Sequence, residues 1–405
     1  MENKIGIDEN HLQNIQGVLD EAVLTNKFAG CSCLVCQGGK ERGFWASGFA
    51  QKDREKPFAR DTICRIFSMT KPITAVSAWI LVEKGKIDLA SPVSDFLSDF
   101  SALNVLSEGK IVPCQKSLLV RDLLNMTSGY SYGGLQDESH RQISALIVQI
   151  DEAIRRGEPL SLAKIVSRAA KIPLAFNPGE SFEYGISADI LGAVIESVSG
   201  MKLGDFMKKE IFEPLSMHDT AFFVPSEKKS RAAAVYEQVF SDGKRNLRER
   251  TDGILGIELL PEKTPAFESG GAGLWSTVDD YMKFCRMLLA GGKAGNGRIL
   301  QSGTIRSMHT LHISGDAQRA FEEKLPQFSG YSYGNLMRIL TDESKSSTIS
   351  RGNGEFGWDG ALGTYMAVDS ENDLAIVFFT QCANDGGYTS TARKIKNVVY
   401  SALTA

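Results

Sequence analysis

Thr62-Ile63-Cys64-Arg65-Ile66-Phe67-Ser68-Met69-Thr70-Lys71-Pro72-Ile73-Thr74-Ala75 is the stretch on which the reading of this chain turns. Residues 62–67 are strand-like. Lys71 to Glu83 form an apolar helical run that stops near Gly85. Ser68 stands at the junction, with Lys71 three residues on. Residues i and i+3 share a helix face, so the amine can reach the hydroxyl. In a low-dielectric cleft the ammonium form is disfavoured, which suits the lysine to act as a base on the serine. A hydroxyl at a helix start also lies close to backbone N–H groups that favour developing negative charge.

The S-x-x-K spacing alone is weak, because it starts at Ser68, Ser107, Ser161, Ser199, Ser226 and Ser241. Ser107 and Ser241 lie in polar loops, and Ser226 follows Pro225 in a charged run. Ser199 straddles a helix end at Gly200, and Ser161 reads as an N-cap with its lysine facing solvent. Only Ser68 joins a strand-like segment to an apolar helix. Two G-x-S-x-G pentapeptides, Gly129 to Gly133 and Gly330 to Gly334, compete for the role of nucleophile elbow. Ser332 has no histidine after it, and Ser131 follows a helical segment and a polar loop instead of a strand. Both read as glycine-rich turns.

Around this centre, 11–25 has helical spacing, and 31–37 and 43–49 read as strands around Gln37-Gly38-Gly39-Lys40. Most of 115–215 is helical in pattern, including the stripe Ile143, Leu146, Ile147, Ile150 and Ile154. From about 225 to 265 the chain is polar and reads as irregular. Ser276-Thr277-Val278-Asp279-Asp280 opens a helix with a capping-box pattern. Strand-like stretches follow at 331–340, 362–369 and 373–381, and 389–403 reads as a helix. The expected architecture is α/β (α+β), a sheet domain from 1–67 and 230–405 with a mostly helical domain, 68–229, inserted.

The chain has 405 residues, 45 Lys+Arg against 49 Asp+Glu, hence a net charge of −4, and it is 42% hydrophobic. That balance gives no reason to expect nucleic acid binding, and the apolar fraction excludes a disordered chain. The longest apolar runs are about half the ~20 residues a membrane span needs. Met1-Glu2-Asn3-Lys4 does not open a signal peptide, and seven cysteines are an odd number, so a soluble cytoplasmic protein with reduced thiols is expected. Cys33 and Cys36 form a C-x-x-C without a second ligand pair, and are read as part of a buried strand. No metal or cofactor is expected.

Several segments in fixed order carry a resemblance. Thr62 to Ala75, Leu123 to Tyr130 (LLNMTSGY), Phe176 to Gly200, Ile211 to Pro225, Ser269 to Phe284 and Gly354 to Asp369 (GEFGWDGALGTYMAVD) are similar to the serine β-lactamase and penicillin-binding-protein superfamily. The set resembles most the class C β-lactamases and family VIII carboxylesterases, and spans about 60 to 380. The resemblance implies a β-lactamase/DD-peptidase-like fold, an antiparallel sheet flanked by helices with a mostly helical insertion. It implies Ser68 as the acylated nucleophile, Lys71 as its base, and Tyr184 as the tyrosine that passes a proton to the leaving group, as phenolate or through a bond to Lys71. The oxyanion hole would be the backbone N–H groups of Ser68 and Ala361.

The departures from the pattern decide the substrate. The second motif reads Tyr184-Gly185-Ile186, and Ile186 cannot bind a β-lactam side-chain amide as asparagine would. The third reads Trp358-Asp359-Gly360, without the cation that meets a drug carboxylate. Trp358 offers one N–H and an apolar face, and Asp359 would repel a carboxylate. Tyr130 and Tyr132 are read as further cleft residues. The expected activity is serine hydrolysis of carboxylic esters, with a small-molecule ester or amide as partner, no nucleic acid and no membrane. A β-lactamase or D-amino-acid peptidase, an acyltransferase using the same acyl-enzyme, and a catalytically silent binding protein remain as alternatives.

Overall fold

Gly30–Gln37 is buried at every position, so both faces of the sheet it belongs to are covered. Its partners are Lys40–Gln51 on one side and Leu374–Thr380 on the other, both antiparallel. In the computed structural model, which describes residues 5–261, 265, 267–384 and 388–404, these strands sit in an eight-stranded sheet. Its order is Tyr331–Gly334, Met337–Leu340, Glu355–Asp359, Tyr365–Asp369, Leu374–Thr380, Gly30–Gln37, Lys40–Gln51, Lys56–Pro57. The strands thus come from both ends of the chain. Asn14–Leu24 and Ser390–Ser401 pack on each other, and Val278–Leu289 packs on the central strands. Cys31, Cys33 and Cys36 are buried in the Gly30–Gln37 strand.

The middle of the chain supplies the helices Glu138–Arg155, Leu162–Ala169 and Ser187–Ser199. Ile143, Leu146 and Ile150 of the expected stripe are buried. Ser161 caps the second helix by accepting from Lys164 N, and Gly200 ends the third at φ 68°. Thr70–Glu83 is buried from Thr70 to Leu81. It is apolar all round because it is covered all round, and it packs on both the Ser187–Ser199 helix and the Glu355–Asp359 strand.

Three local expectations change. The polar stretch after 225 contains a hairpin, Tyr236–Ser241 paired with Lys244–Glu249. Its residues are largely polar on both faces, so alternation is lost, but Asp242-Gly243 at φ 51° and 70° is the turn signal that betrays it. The stretch 331–340 is two strands, folded back at Asn335-Leu336 with φ 53° and 59°. The 362–369 strand begins only at Tyr365, because residues before it form a turn.

The C-terminal helix is tied to the sheet by buried charge. Glu355 lies 2.6 Å from Lys396 and 3.8 Å from Arg338, all three side chains fully buried. Tyr331 donates to Glu355 at 2.8 Å, and the Tyr400 hydroxyl lies 3.0 Å from Glu355 and 2.8 Å from Asp369. Removing one partner leaves the others buried and unpaired. Glu355→Gln should therefore lower the unfolding free energy by about 3–5 kcal/mol, read as a shifted midpoint in urea; a change within error would show that the cluster is not a unit.

Candidate active site

Ser68 is held in place from several sides. Cys64–Arg65 pairs with Trp275–Ser276. The Gln381 side chain clasps the Arg65 backbone, accepting from its N–H at 3.0 Å and donating to its carbonyl at 2.9 Å. The buried Arg65 guanidinium donates to Gly273 O and lies 4.3 Å from the Trp275 ring. Phe67 then adopts φ 42°, a left-handed conformation unusual for a bulky residue. A single 3₁₀ turn, Phe67–Met69, carries Ser68 into the Thr70–Glu83 helix. Tyr281 donates to Met69 O at 2.6 Å, and Thr70 Oγ1 accepts from Leu274 N. The serine is partly exposed while its neighbours are buried.

The Lys71 amine lies 3.0 Å from Ser68 Oγ, 3.0 Å from Tyr132 OH and 2.9 Å from Gly271 O. Its side chain is fully buried. Burial pulls its pKa from 10.5 down to about 7, against the opposing charges of Asp189 and Asp359. A neutral amine has two N–H groups and one lone pair. Gly271 O can only accept, and burial keeps the Tyr132 phenol far above its usual range, hence neutral. With N–H groups directed at Gly271 O and Tyr132 O, the lone pair faces the Ser68 hydroxyl. Tyr132 is therefore in direct contact with the Lys71 amine, a closer place than cleft lining.

Tyr184 accepts the indole N–H of Trp358 at 2.8 Å, and the Ser68 side chain beside it also favours its ionised form. Burial outweighs both contacts and pushes the phenol above its ordinary value. Tyr184 is thus a neutral phenol at neutral pH. Its expected link to Lys71 takes another form: the amine sits 4.7 Å from the ring centroid, over the face. Trp358 does not present its N–H to the cleft, because Tyr184 takes it. Its ring packs among Tyr184, Phe328 and Tyr333 with centroids 5.0–5.4 Å apart.

The turn after Asp359 docks beside the Ile66–Ser68 segment. Thr364 Oγ1 donates to Ile66 O at 3.2 Å, and a Cβ on Gly360 would stand 2.3 Å from that same carbonyl, so only glycine fits. Among the described residues, neither Ser68 N nor Ala361 N donates a hydrogen bond to protein. Burial raises the Asp359 carboxyl to about 6, against the pull of Arg338 and Lys71. Arg338 Nη1 lies 3.7 Å from it, which offsets part of the repulsion expected of this acid.

Tyr130 departs from expectation. Its ring is fully buried edge-on to Phe100 and is not among the side chains around Lys71. Ile186 is half-buried at the start of the Ser187–Ser199 helix and packs on the core. The competing serines serve local structure: Ser131 Oγ accepts from Gly133 N, and Ser332 donates to Ile313 O. No cluster of three or more His, Cys, Asp or Glu among the described residues could hold a metal ion. Asp189 and Gly271 lie within the resembling segments Phe176 to Gly200 and Ser269 to Phe284, but neither is assigned a role there, because the resemblance gives a catalytic role only to Tyr184 in the first and to no residue in the second.

Comparison with known proteins places this site in a family context. The Beta-lactamase family model matches residues 13–400. Protein Rv1367c of Mycobacterium tuberculosis is 29% identical over 382 residues, covering 93% of this chain and 91% of its own. Esterase EstB of Burkholderia gladioli is 26% identical over 402 residues, covering 96% and 94%. The solved structure of EstCE1, described as a hydrolase with promiscuous acyltransferase activity, superposes with a TM-score of 0.80 at 26% identity, covering 97% of this chain and 99% of that one.

If the Lys71 amine must be neutral to take the Ser68 proton, phosphonylation of Ser68 by a fluorophosphonate should rise with pH through about 7. Below that midpoint the rate should fall about tenfold per pH unit. Rates measured from pH 5 to 9 by intact mass check it, and a flat profile would remove Lys71 as the base.

Proposed function

The chain belongs to the Beta-lactamase family, and from that membership we propose that it is a serine hydrolase cleaving carboxylic esters through an acyl-Ser68 intermediate. One observation carries the reading. A buried lysine amine sits 3.0 Å from an accessible serine hydroxyl, while the third-motif position that holds a cation in lactam hydrolases is Trp358, its N–H engaged by Tyr184. The site can make the nucleophile, but among the described residues no cation takes the third-motif position where a drug carboxylate would be met. The likeness to EstB and EstCE1 supports the same class.

In this reading the Lys71 amine accepts the Ser68 proton as Oγ attacks the ester carbonyl. The oxyanion takes hydrogen bonds from Ser68 N and Ala361 N, both without a protein partner among the described residues. As the tetrahedral intermediate collapses, a proton passes through Tyr184 to the departing alkoxide. Water then attacks the acyl-enzyme, its proton returns to the Lys71–Tyr184 pair, and the carboxylic acid leaves with Ser68 restored. Trp358, by donating to the Tyr184 oxygen, fixes where that proton is handed over.

A second reading, acyl transfer, replaces the water with an alcohol or amine at the deacylation step. The description of EstCE1 favours it as a companion activity. Among the described residues no cysteine is in a disulfide, and six of the seven cysteines are buried, which supports a reducing, cytoplasmic setting. No helix among the described residues is long and apolar enough to cross a membrane.

Ser68→Ala should lower p-nitrophenyl butyrate turnover by at least about 10³-fold without changing the melting temperature. Wild-type turnover of nitrocefin should stay far below that of the ester. Ester turnover surviving in Ser68→Ala would dispose of the mechanism, and nitrocefin turnover matching the ester would restore the lactamase alternative. Added alcohol acceptors yielding transesterified product would measure the share of acyl transfer.

A further inference from the structure

Resting on the reading of Ser68 as the nucleophile, we propose that Asp189 is a positioning residue for its base: it fixes the turn on which the Lys71 amine is seated. Asp189 is the third residue of the Ser187–Ser199 helix and is 6% exposed. A buried carboxylate must be satisfied by donors, and here both donors come from one turn. Asp189 Oδ1 accepts from Ser269 Oγ and from Gly271 N. Ser269 Oγ in turn accepts from Ala272 N at 3.0 Å, and Gly273 N donates to Ser269 O, so the turn closes on itself.

That turn presents two successive carbonyls to the catalytic helix. Gly271 O takes the Lys71 amine at 2.9 Å, and Gly270 O takes the Thr74 hydroxyl, almost one helical turn further on, at 2.7 Å. The packing leaves no room to slide. A Cβ on Gly271 would lie 2.7 Å from Tyr132 OH and 2.9 Å from Asp189 Oδ2, and one on Gly270 would lie 2.5 Å from Ala188 O. Asp189 therefore holds the backbone group that consumes one Lys71 N–H and turns the lone pair toward Ser68.

Its charge has a second effect. The groups facing the amine are the neutral phenols Tyr132 and Tyr184, the carboxylate of Asp359 backed by Arg338, and Asp189; Tyr333 lies behind Tyr184 and Asp359. Of the two acids, only Asp189 is also bonded to the turn that touches Lys71. It has two separable functions, a shape and a charge.

Asp189→Asn keeps an acceptor oxygen for Ser269 and Gly271 but removes the charge. Asp189→Ala removes both, and Ser269→Ala removes one link while leaving the carboxylate. Each variant would be assayed with p-nitrophenyl butyrate from pH 5 to 9, with active enzyme counted by fluorophosphonate adducts on Ser68. Asp189→Asn should move the acid limb of kcat/KM to lower pH by about one unit, because the ammonium loses a stabilising anion. Asp189→Ala should lose about 10–100-fold in kcat with little change in KM, and Ser269→Ala should fall between it and wild type. An unshifted acid limb in Asp189→Asn, or unchanged kcat per active site in Ser269→Ala where Asp189→Ala does not fold, would overturn the assignment. A wild-type protein that forms no adduct on Ser68 would overturn the hydrolase reading and this one with it.

Discussion

Everything at this site depends on one buried amine. Lys71 has no exposed surface, and burial brings its pKa to about 7. Relative to an amine in water, that disfavours the ammonium form by roughly 5 kcal/mol. The fold must supply that destabilisation and still keep the side chain pointed at Ser68. It does so by using the whole length of the Thr70–Glu83 helix as a buried strut. A helix covered on every side cannot rotate to let a lysine snorkel to water. The same burial that makes the helix a core element favours the neutral amine of Lys71.

Burial alone would place the amine anywhere along a greasy wall. Direction comes from polar groups delivered by three other segments: Gly271 O from the glycine-rich turn, Tyr132 OH from the loop before the Glu138–Arg155 helix, and the Tyr184 ring. Backbone carbonyls suit this purpose because they accept without titrating. The strained Phe67 and the Gln381 clasp on Arg65 do the corresponding work for the serine. Ser68 and Lys71 are thus held by different parts of the chain, and the 3.0 Å between them is a property of the assembled fold.

This division explains what could be read from the sequence. Ser68 and Lys71 are three residues apart, in the 3₁₀ turn and the helix it leads into, so their meeting is local and legible. Tyr184, Trp358 and the Gly360-Ala361 turn could be placed only through a resemblance of ordered segments. Tyr132 could be read only as a cleft residue, and the places of Gly271 and Asp189 beside Lys71 were out of reach, because these residues lie 61, 200 and 118 positions away and meet the amine only when loops close over the helix. The sheet was legible where strands alternate or run apolar between turn residues, as at Gly30–Gln37. It was not at Tyr236–Glu249, where both faces are largely polar and only Asp242-Gly243 marks the turn.

The third motif shows why the exchange of a cation for Trp358 and Asp359 is more than two substitutions. An acid at 359 lies close enough to Lys71 to favour its ammonium form, which on its own would weaken the base. Arg338 competes for that acid from beneath, at 3.7 Å. It reaches across its register partner Gly357 to donate to Met366 O at 3.0 Å; a Cβ on Gly357 would crowd the same carbonyl at 2.3 Å. Arg338 is in turn surrounded by the rings of Phe328, Tyr331, Tyr365 and Tyr388 and paired with Glu355. Phe328 also packs on Trp358. The tryptophan, the acid, the glycine and the arginine therefore form one packed unit. Beside the third motif, Arg338 is a cation buried behind Trp358 and Asp359, where it offsets the charge of Asp359 near Lys71.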